Sequence, residues 1–470
     1  MAVNEFTMTI DGRRAATAST YMVEDPATNR TVAEAPECTD QQLDEAMRAA
    51  QSAQRSWQSD AKLRQVALEH LAAAVEEHLD ALADVITSEE GKPIAEARSE
   101  LGDAVNDLKF FASLELADEI LRDDASTTVR VVRRPIGPVA AITPWNFPLG
   151  TAVAKIAPAL AAGCTVVLKP SPYTPLACLV FGELSRDILP AGVLNVLSGG
   201  NDLGVKMTGH PVPRMVSFTG SVATGKRIAT AVAPDLKRVT LELGGNDPAI
   251  VLDDFDLEAT ADGLFANAFG NCGQICVAIK RVYVPRARHD ELVSALAERA
   301  NAAHVGDGHL SGTDIGPLCN KMQYERVDEL VRDAKDSGAT IVAGGRRVEG
   351  AGYFFEPTVV AGLSDGTRLV DEEQFGPVLP IVSYDDLDDA IARANATHFG
   401  LGASIWTDDP ERGAGIARDI ESGTVWVNTH QSAVPGQPFG GLKWSGIGVE
   451  GGRWGLIGFT EIQAIHVARA

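Results

Sequence analysis

The chain has 470 residues, 45% of them hydrophobic, and a net charge of −23 with no basic cluster. That length allows two or three domains with sizeable cores, and the acidity excludes nucleic acid and anionic membrane surfaces, which need a positive face. Six scattered cysteines and nine scattered histidines give neither a disulfide framework nor the spacing of a metal site.

The opening MAVNEFTMTIDGRR lacks the charged-then-apolar order of a secretory signal, and no apolar run reaches membrane-spanning length. A reducing, cytoplasmic location is therefore expected. After a short start, the stretch from Asp44 to Leu114 is Ala-rich with apolar residues at helical spacing, punctuated at Gly91-Lys92-Pro93. TTVRVVRRPIGPVAAITPWNFP, from Thr127, reads as strands broken at a proline-rich turn. Alternation follows: TVVLKP as a strand, a helix over Pro175 to Ile188, GVLNVLSG as a strand, MVSFTGS running into the helix TGKRIATAVA, then RVTLELGG and PAIVLDD. A second alternating region begins near Leu257, with RVYV, TIVAGG, FFEPTVV, PVLPIVSY, GASIWT and TVWVN as strands. The helix NKMQYERVDELVRDAKDSG ends at a glycine. This pattern predicts an α/β fold, with parallel sheets covered on both faces in two domains and a ligand cleft between them.

GSVATGKR, from Gly220 to Arg227, nearly matches the phosphate-loop pattern, but Arg227 stands where a magnesium-holding hydroxyl is needed. That argues against a nucleotide-triphosphate hydrolase. A strand-to-helix turn with small residues can still receive a diphosphate on its free N–H groups.

Two cysteines, Cys272 and Cys276, sit close together in FGNCGQICVAIKR. TPWNFP from Thr143, VTLELGG from Val239, GQIC from Gly273 and EEQFGPV from Glu372 occur in one order along the chain, with SFTGS and PFGGLKWSGIG between and after them. Together they resemble the NAD(P)-dependent aldehyde dehydrogenase superfamily over nearly the whole chain. The resemblance implies a Rossmann-like cofactor domain (1–118, 138–243 and 442–458), a catalytic domain (244–441) and an oligomerisation ribbon (119–137 and 459–470). A protruding strand pair needs a partner for its edges, so a homodimer or homotetramer is expected.

The implied reaction is oxidation of a small-molecule aldehyde to a carboxylic acid. It needs a thiolate to attack the carbonyl, donors for the oxyanion, and a carboxylate to activate water against the resulting thioester. The nucleophile of the family follows G-Q-x, which selects Cys276, leaving Cys272 as apolar filler. Asn146 resembles the oxyanion donor and Glu242 the general base. Coenzyme A-acylating relatives generally lack that glutamate, so a free acid product is implied. Glu450 and Lys155 resemble a proton relay. For the cofactor, the resemblance implies Thr143, Trp145, Lys169, Ser171, Pro172, Gly204, Phe218, Gly220, Ser221, Leu243, Glu373 and Phe375. Gly225 serves close helix packing, and no metal is implied.

Three departures from the family pattern matter. Pro172 replaces a glutamate that in many NAD-preferring relatives repels a 2′-phosphate, so either NAD or NADP is admitted, with NAD favoured. Asn246 replaces a common lysine, a local change. Ala154 replaces the arginine with which succinic semialdehyde dehydrogenases neutralise the far carboxylate of their substrate, and between Asn428 and Gly441 only His430 could substitute for it. The small residues Thr151, Ala154, Gly270 and Ala433, with Phe147, Ile275, Phe439 and Trp444, imply a wide, largely apolar mouth. That mouth suits aromatic or longer aliphatic aldehydes, with a semialdehyde such as succinic semialdehyde as the alternative. A catalytically inert binding protein on the same fold is the rival from another class; Cys276, Glu242 and Asn146 all being present argues against it.

Overall fold

The computed structural model describes residues 6–469; residues 1–5 and 470, assigned above to the cofactor domain and the ribbon, lie outside the described residues. The chain opens with four short strands, β1 (Met8–Ile10), β2 (Arg13–Ala15), β3 (Thr20–Asp25) and β4 (Arg30–Pro36). Four helices follow: α1 (Asp40–Gln58), α2 (Ala61–Glu77), α3 (Leu79–Glu90) and α4 (Ile94–Ser113). Thr39 and Gln42 cap α1 reciprocally. Gly91, left-handed at φ 100°, ends α3, so the predicted punctuation is a true helix break.

After the strands β5 (Glu119–Asp123) and β6 (Thr127–Pro135) comes the alternation: β7 (Val139–Ile142), α5 (Pro148–Ala162), β8 (Val166–Lys169), α6 (Leu176–Ser185), β9 (Leu194–Val196), α7 (Asn201–Gly209), β10 (Met215–Thr219), α8 (Val222–Val232) and β11 (Arg238–Glu242). The second region holds β12 (Asp247–Val251), α9 (Leu257–Phe269), β13 (Ile279–Pro285), α10 (His289–Ala302), α11 (Lys321–Asp336), β14 (Thr340–Ala343), β15 (Thr358–Ala361), β16 (Val378–Tyr384), β17 (Gly402–Trp406) and β18 (Thr424–Val427). Two more strands, β19 (Gly446–Ile447) and β20 (Thr460–Ala468), lie near the end.

The first sheet runs β19-β11-β10-β7-β8-β9-β1-β2. Its central five strands are mutually parallel, each buried on both faces, as helix-covered sheets must be. The second sheet runs β14-β15-β16-β13-β12-β17-β18 and is parallel except for β14. Each sheet has its own hydrophobic core. One gathers residues from Met8 to Leu243, closed by Leu456 and Phe459; the other runs from Ala249 to Ile420. β20 pairs antiparallel with β6 over nine positions and β5 extends the ribbon. Ile120, Leu121, Ile462 and Val467 stand exposed on it.

β1 and β2 were not legible in the sequence. At three residues each they are too short for alternation to show, and they exist because β1 extends the edge at β9.

Candidate active site

The turn between α9 and β13 carries Cys276. Asn271 and Cys272 both adopt left-handed conformations, at φ 47° and 57°. Gly273 follows at φ 71°, where a Cβ would lie 2.3 Å from the Gly376 carbonyl oxygen, so only glycine fits. Lys280 Nζ ties the turn down by donating to the carbonyls of Ile275 and Cys276, each at 2.8 Å. Gln274 accepts from Cys319 N at 2.8 Å and donates to the Asn271 carbonyl at 3.1 Å. Cys272 is 1% exposed and belongs to the second core, whereas Cys276 is half-buried and lines a cavity. Burial pushes the Cys276 thiol up to about 12; Lys280 pulls against it, while Asp247, Glu373 and Glu242 add to the rise.

The turn between β7 and α5 carries Asn146. Its Nδ2 donates to the Gln274 carbonyl at 2.7 Å, leaving its second amide hydrogen free. Its own carbonyl accepts from Lys92 Nζ at 2.8 Å and Asn271 Nδ2 at 3.0 Å. Lys92 lies 3.7 Å over the Phe147 ring and is paired with Glu100 at 2.8 Å, both side chains fully buried. Glu100 Oε1 accepts from the backbone of Leu149 and Gly150, capping α5. Lys92, Glu100 and Lys280 all escaped the sequence reading. Lys92 and Glu100 reach the α5 turn some fifty residues on, Lys280 folds back onto its own turn, and nothing in GKP or AIKR announces these directions.

Glu242 ends β11. It is 3% exposed, and neither carboxylate oxygen has a partner. Burial first, then Glu450, raises its carboxyl well above the usual range, and Lys155 opposes them. Lys155 Nζ meets Glu450 Oε1 at 2.5 Å, and both residues are buried. Glu242, Glu450 and Cys276 line one cavity of about 450 Å³, together with Phe147, Gly270, Ile275 and Phe439. Thr151 and Ala154 join that wall. Lys155 and Asn146 stand behind it.

Three expectations about the mouth are corrected. Trp444 stacks on His398 at 3.8 Å and lies outside the cavity. Ala433 is exposed and does not line it. His430 is buried against the Val277 carbonyl at 2.6 Å and cannot serve as a cation there. The mouth is largely apolar, as expected, but it also carries charge. Glu96, Asp103 and Asp107 of α4 form part of its wall, contributed by a helix the motifs do not reach.

The cofactor candidates gather at the carboxyl ends of the first sheet. Thr143 and Trp145 follow β7; Lys169, Ser171 and Pro172 end β8; Gly204 lies in α7 after β9; Phe218, Gly220 and Ser221 belong to β10 and its turn; Leu243 follows β11. The chain order reverses between β7 and β10, so this edge is a topological switch point, where such sheets bind ligands. Gly225 lets α8 approach closely, since a Cβ there would stand 2.6 Å from Leu243. From the second region, Phe375 meets Trp145 edge-on at 5.4 Å. Glu373 accepts from Gly245 N at 2.9 Å and lies 3.8 Å from Lys280. Lys169 is 3% exposed and donates to the Pro170 carbonyl at 3.1 Å, with no carboxylate bonded to it; burial draws its pKa down to about 8. The Thr143 hydroxyl, also buried, has no partner. An orphaned hydroxyl and an ammonium without a carboxylate fit a ligand rich in hydroxyl and phosphate oxygens, as a nicotinamide dinucleotide is.

Among the described residues, no helix is long and apolar enough to cross a membrane, and no three His, Cys, Asp or Glu side chains group as metal ligands. The profile of the aldehyde dehydrogenase family matches residues 13–465. The chain is 38% identical to 3-sulfolactaldehyde dehydrogenase of Pseudomonas putida, covering 95% of this chain and 93% of that protein. It is 39% identical to the NADP+-linked succinate-semialdehyde dehydrogenase of Escherichia coli (strain K12), covering 94% and 93%. The NAD+ complex of an aldehyde dehydrogenase from Bacillus cereus superposes with a TM-score of 0.97 at 36% identity, over 99% of this chain and 97% of that one. The chain belongs to the aldehyde dehydrogenase family.

Proposed function

We propose that Cys276 is the nucleophile, Glu242 the base and Asn146 the oxyanion donor in the oxidation of an aldehyde to a carboxylic acid with NAD(P)+. The observation that carries this reading is one cavity holding both the Cys276 thiol and the partnerless Glu242 carboxylate. The Cys276 thiolate adds to the carbonyl carbon, and the oxyanion receives hydrogen bonds from the free amide hydrogen of Asn146 and the Cys276 N–H. Nicotinamide, when bound, supplies the hydride acceptor, and Cys276 then holds the acyl group as a thioester. Glu242 takes a proton from water, the water attacks the acyl carbon, and the sulfur departs as thiolate with release of the acid. Lys155 and Glu450 pass the proton on. The raised basicity of Glu242 suits this task, because a buried carboxylate holds a proton more firmly.

For the substrate, the favoured reading is an aldehyde with an extended aliphatic or aromatic tail. The second reading, a semialdehyde ending in an acid, draws on the names of two relatives. Against it, the cavity wall contains no Lys, Arg or His, and a buried carboxylate without a cation is costly. For the cofactor we favour NAD. Glu37 accepts from Gly200 N at 3.1 Å and lies near enough to Lys169 to raise its pKa, so negative charge opposes a 2′-phosphate there. The exposed apolar residues of the ribbon support a homodimer or homotetramer, and the six free thiols fit the cytoplasm.

Four outcomes are expected. Cys276→Ser abolishes aldehyde-dependent reduction of the cofactor, whereas Cys272→Ser retains most of it; the reverse would show that the wrong sulfur was chosen. Inactivation of the cofactor-free protein by iodoacetamide accelerates about tenfold per pH unit between about pH 7 and 9, because a raised thiol pKa leaves the thiolate fraction growing throughout. A plateau near the value of a free thiol would contradict the effect of burial. Glu37→Gln improves the dissociation constant of NADP relative to NAD about tenfold, some 1.4 kcal/mol, measured by quenching of tryptophan fluorescence; an unchanged ratio argues against the role of Glu37. Light scattering finds a dimer or tetramer, and Ile462→Asp with Val467→Asp reduces its mass. A monomeric wild type would remove the proposed role of the ribbon.

A further inference from the structure

The catalytic cavity has an uneven charge. Six carboxylates line it, from Glu96, Glu100, Asp103, Asp107, Glu242 and Glu450, and no cationic side chain does. Three of the six are already satisfied. Glu100 is paired with Lys92 and Glu450 with Lys155, while Glu96 accepts from Asn271 N at 2.9 Å. Both lysines are fully buried behind the wall and spent on those contacts. Asp103 and Asp107 have no hydrogen bond or ion pair among the described residues. They stand one turn apart on α4, on the same face, where like charges repel.

The environment of each aspartate is unfavourable to its charge. Burial and Glu100 raise Asp103; burial, Asp103 and Glu450 raise Asp107 to about 6, and no cation counts among the causes. Deeper in the same cavity, Glu242 is 3% exposed with both oxygens unpartnered. The same cavity is lined by Phe147, Thr151, Ala154, Ile275 and Phe439, a surface suited to methylenes, and aromatic rings also attract ammonium groups. An unpaired acidic rim, an apolar surface and a reactive thiol in one cavity define a molecule with matching parts.

We propose that the physiological substrate is an ω-ammonio aldehyde, whose positive nitrogen sits between Asp103 and Asp107 while its aliphatic chain reaches Cys276. This rests on the aldehyde-oxidising reading above and adds the charge of the tail. The aspartates are specificity determinants, and the ligand relieves the repulsion between them.

Matched probes test it. Trimethylammoniobutanal cannot cyclise onto its own aldehyde, and its neutral isostere carries a tert-butyl group in place of trimethylammonium; succinic semialdehyde supplies the anionic tail. The expected kcat/KM of the ammonium aldehyde exceeds that of the isostere about tenfold or more, with the anion last. The advantage shrinks as salt is raised and collapses in Asp103→Asn/Asp107→Asn. Wild-type salt dependence gives an independent readout should the double variant not fold. Preference for the isostere or the anion, or a ratio untouched by both salt and substitution, overturns this inference alone. Turnover of none of the three overturns the aldehyde-oxidising reading with it.

Discussion

The hydrogen bond from Asn146 Nδ2 to the Gln274 carbonyl, 2.7 Å long, stitches the first sheet to the second beside Cys276. Asn146 stands on the turn leaving β7, and Gln274 on the turn that carries Cys276. Neither turn belongs to the other's core. Their relative position is held by a few polar contacts, chiefly this bond, Asn271 Nδ2 to the Asn146 carbonyl, and Asn271 N to Glu96. Directed bonds fix the Asn146 amide more closely than apolar packing would, as the oxyanion role proposed for it requires.

The buried lysines follow the same logic. Lys92 and Lys280 spend their charge on main-chain carbonyls of the Asn146 and Cys276 turns, and Lys155 on Glu450. None of these lysines lines the cavity wall. The thiol and the carboxylates are consequently left in a negative, partly desolvated environment. That keeps Cys276 protonated at rest and makes Glu242 a stronger base.

Much of the fold was legible because its signals are local. The break at Gly91 needs only the left-handed conformation of one residue, and the helix from Lys321 needs only its Asn320 cap and periodic apolar face. TVVLKP and MVSFTGS read as strands because each is short and carries bulky apolar and β-branched residues. The trio Cys276, Glu242 and Asn146 was singled out for a different reason, as residues embedded in recognisable motifs, and the structure brings all three to one place. Trp444 and His430 misled because a motif specifies neighbours along the chain and not the direction of a side chain. Trp444 found a stacking partner in His398, and His430 a backbone carbonyl.

By itself, the sequence determined the α/β class, the alternation of strands and helices, and which sulfur, amide and carboxylate carry the motifs of the family. Those depend on periodicity and on residues close together along the chain. The tertiary structure alone decided that Lys92 grips the Asn146 turn, that Lys280 clamps the Cys276 turn, and that Asp103 and Asp107 face the same cavity as the thiol. These contacts depend on how a side chain is directed in space or on how α4 is rotated. Electrostatic energy follows distance through space, which chain order does not encode.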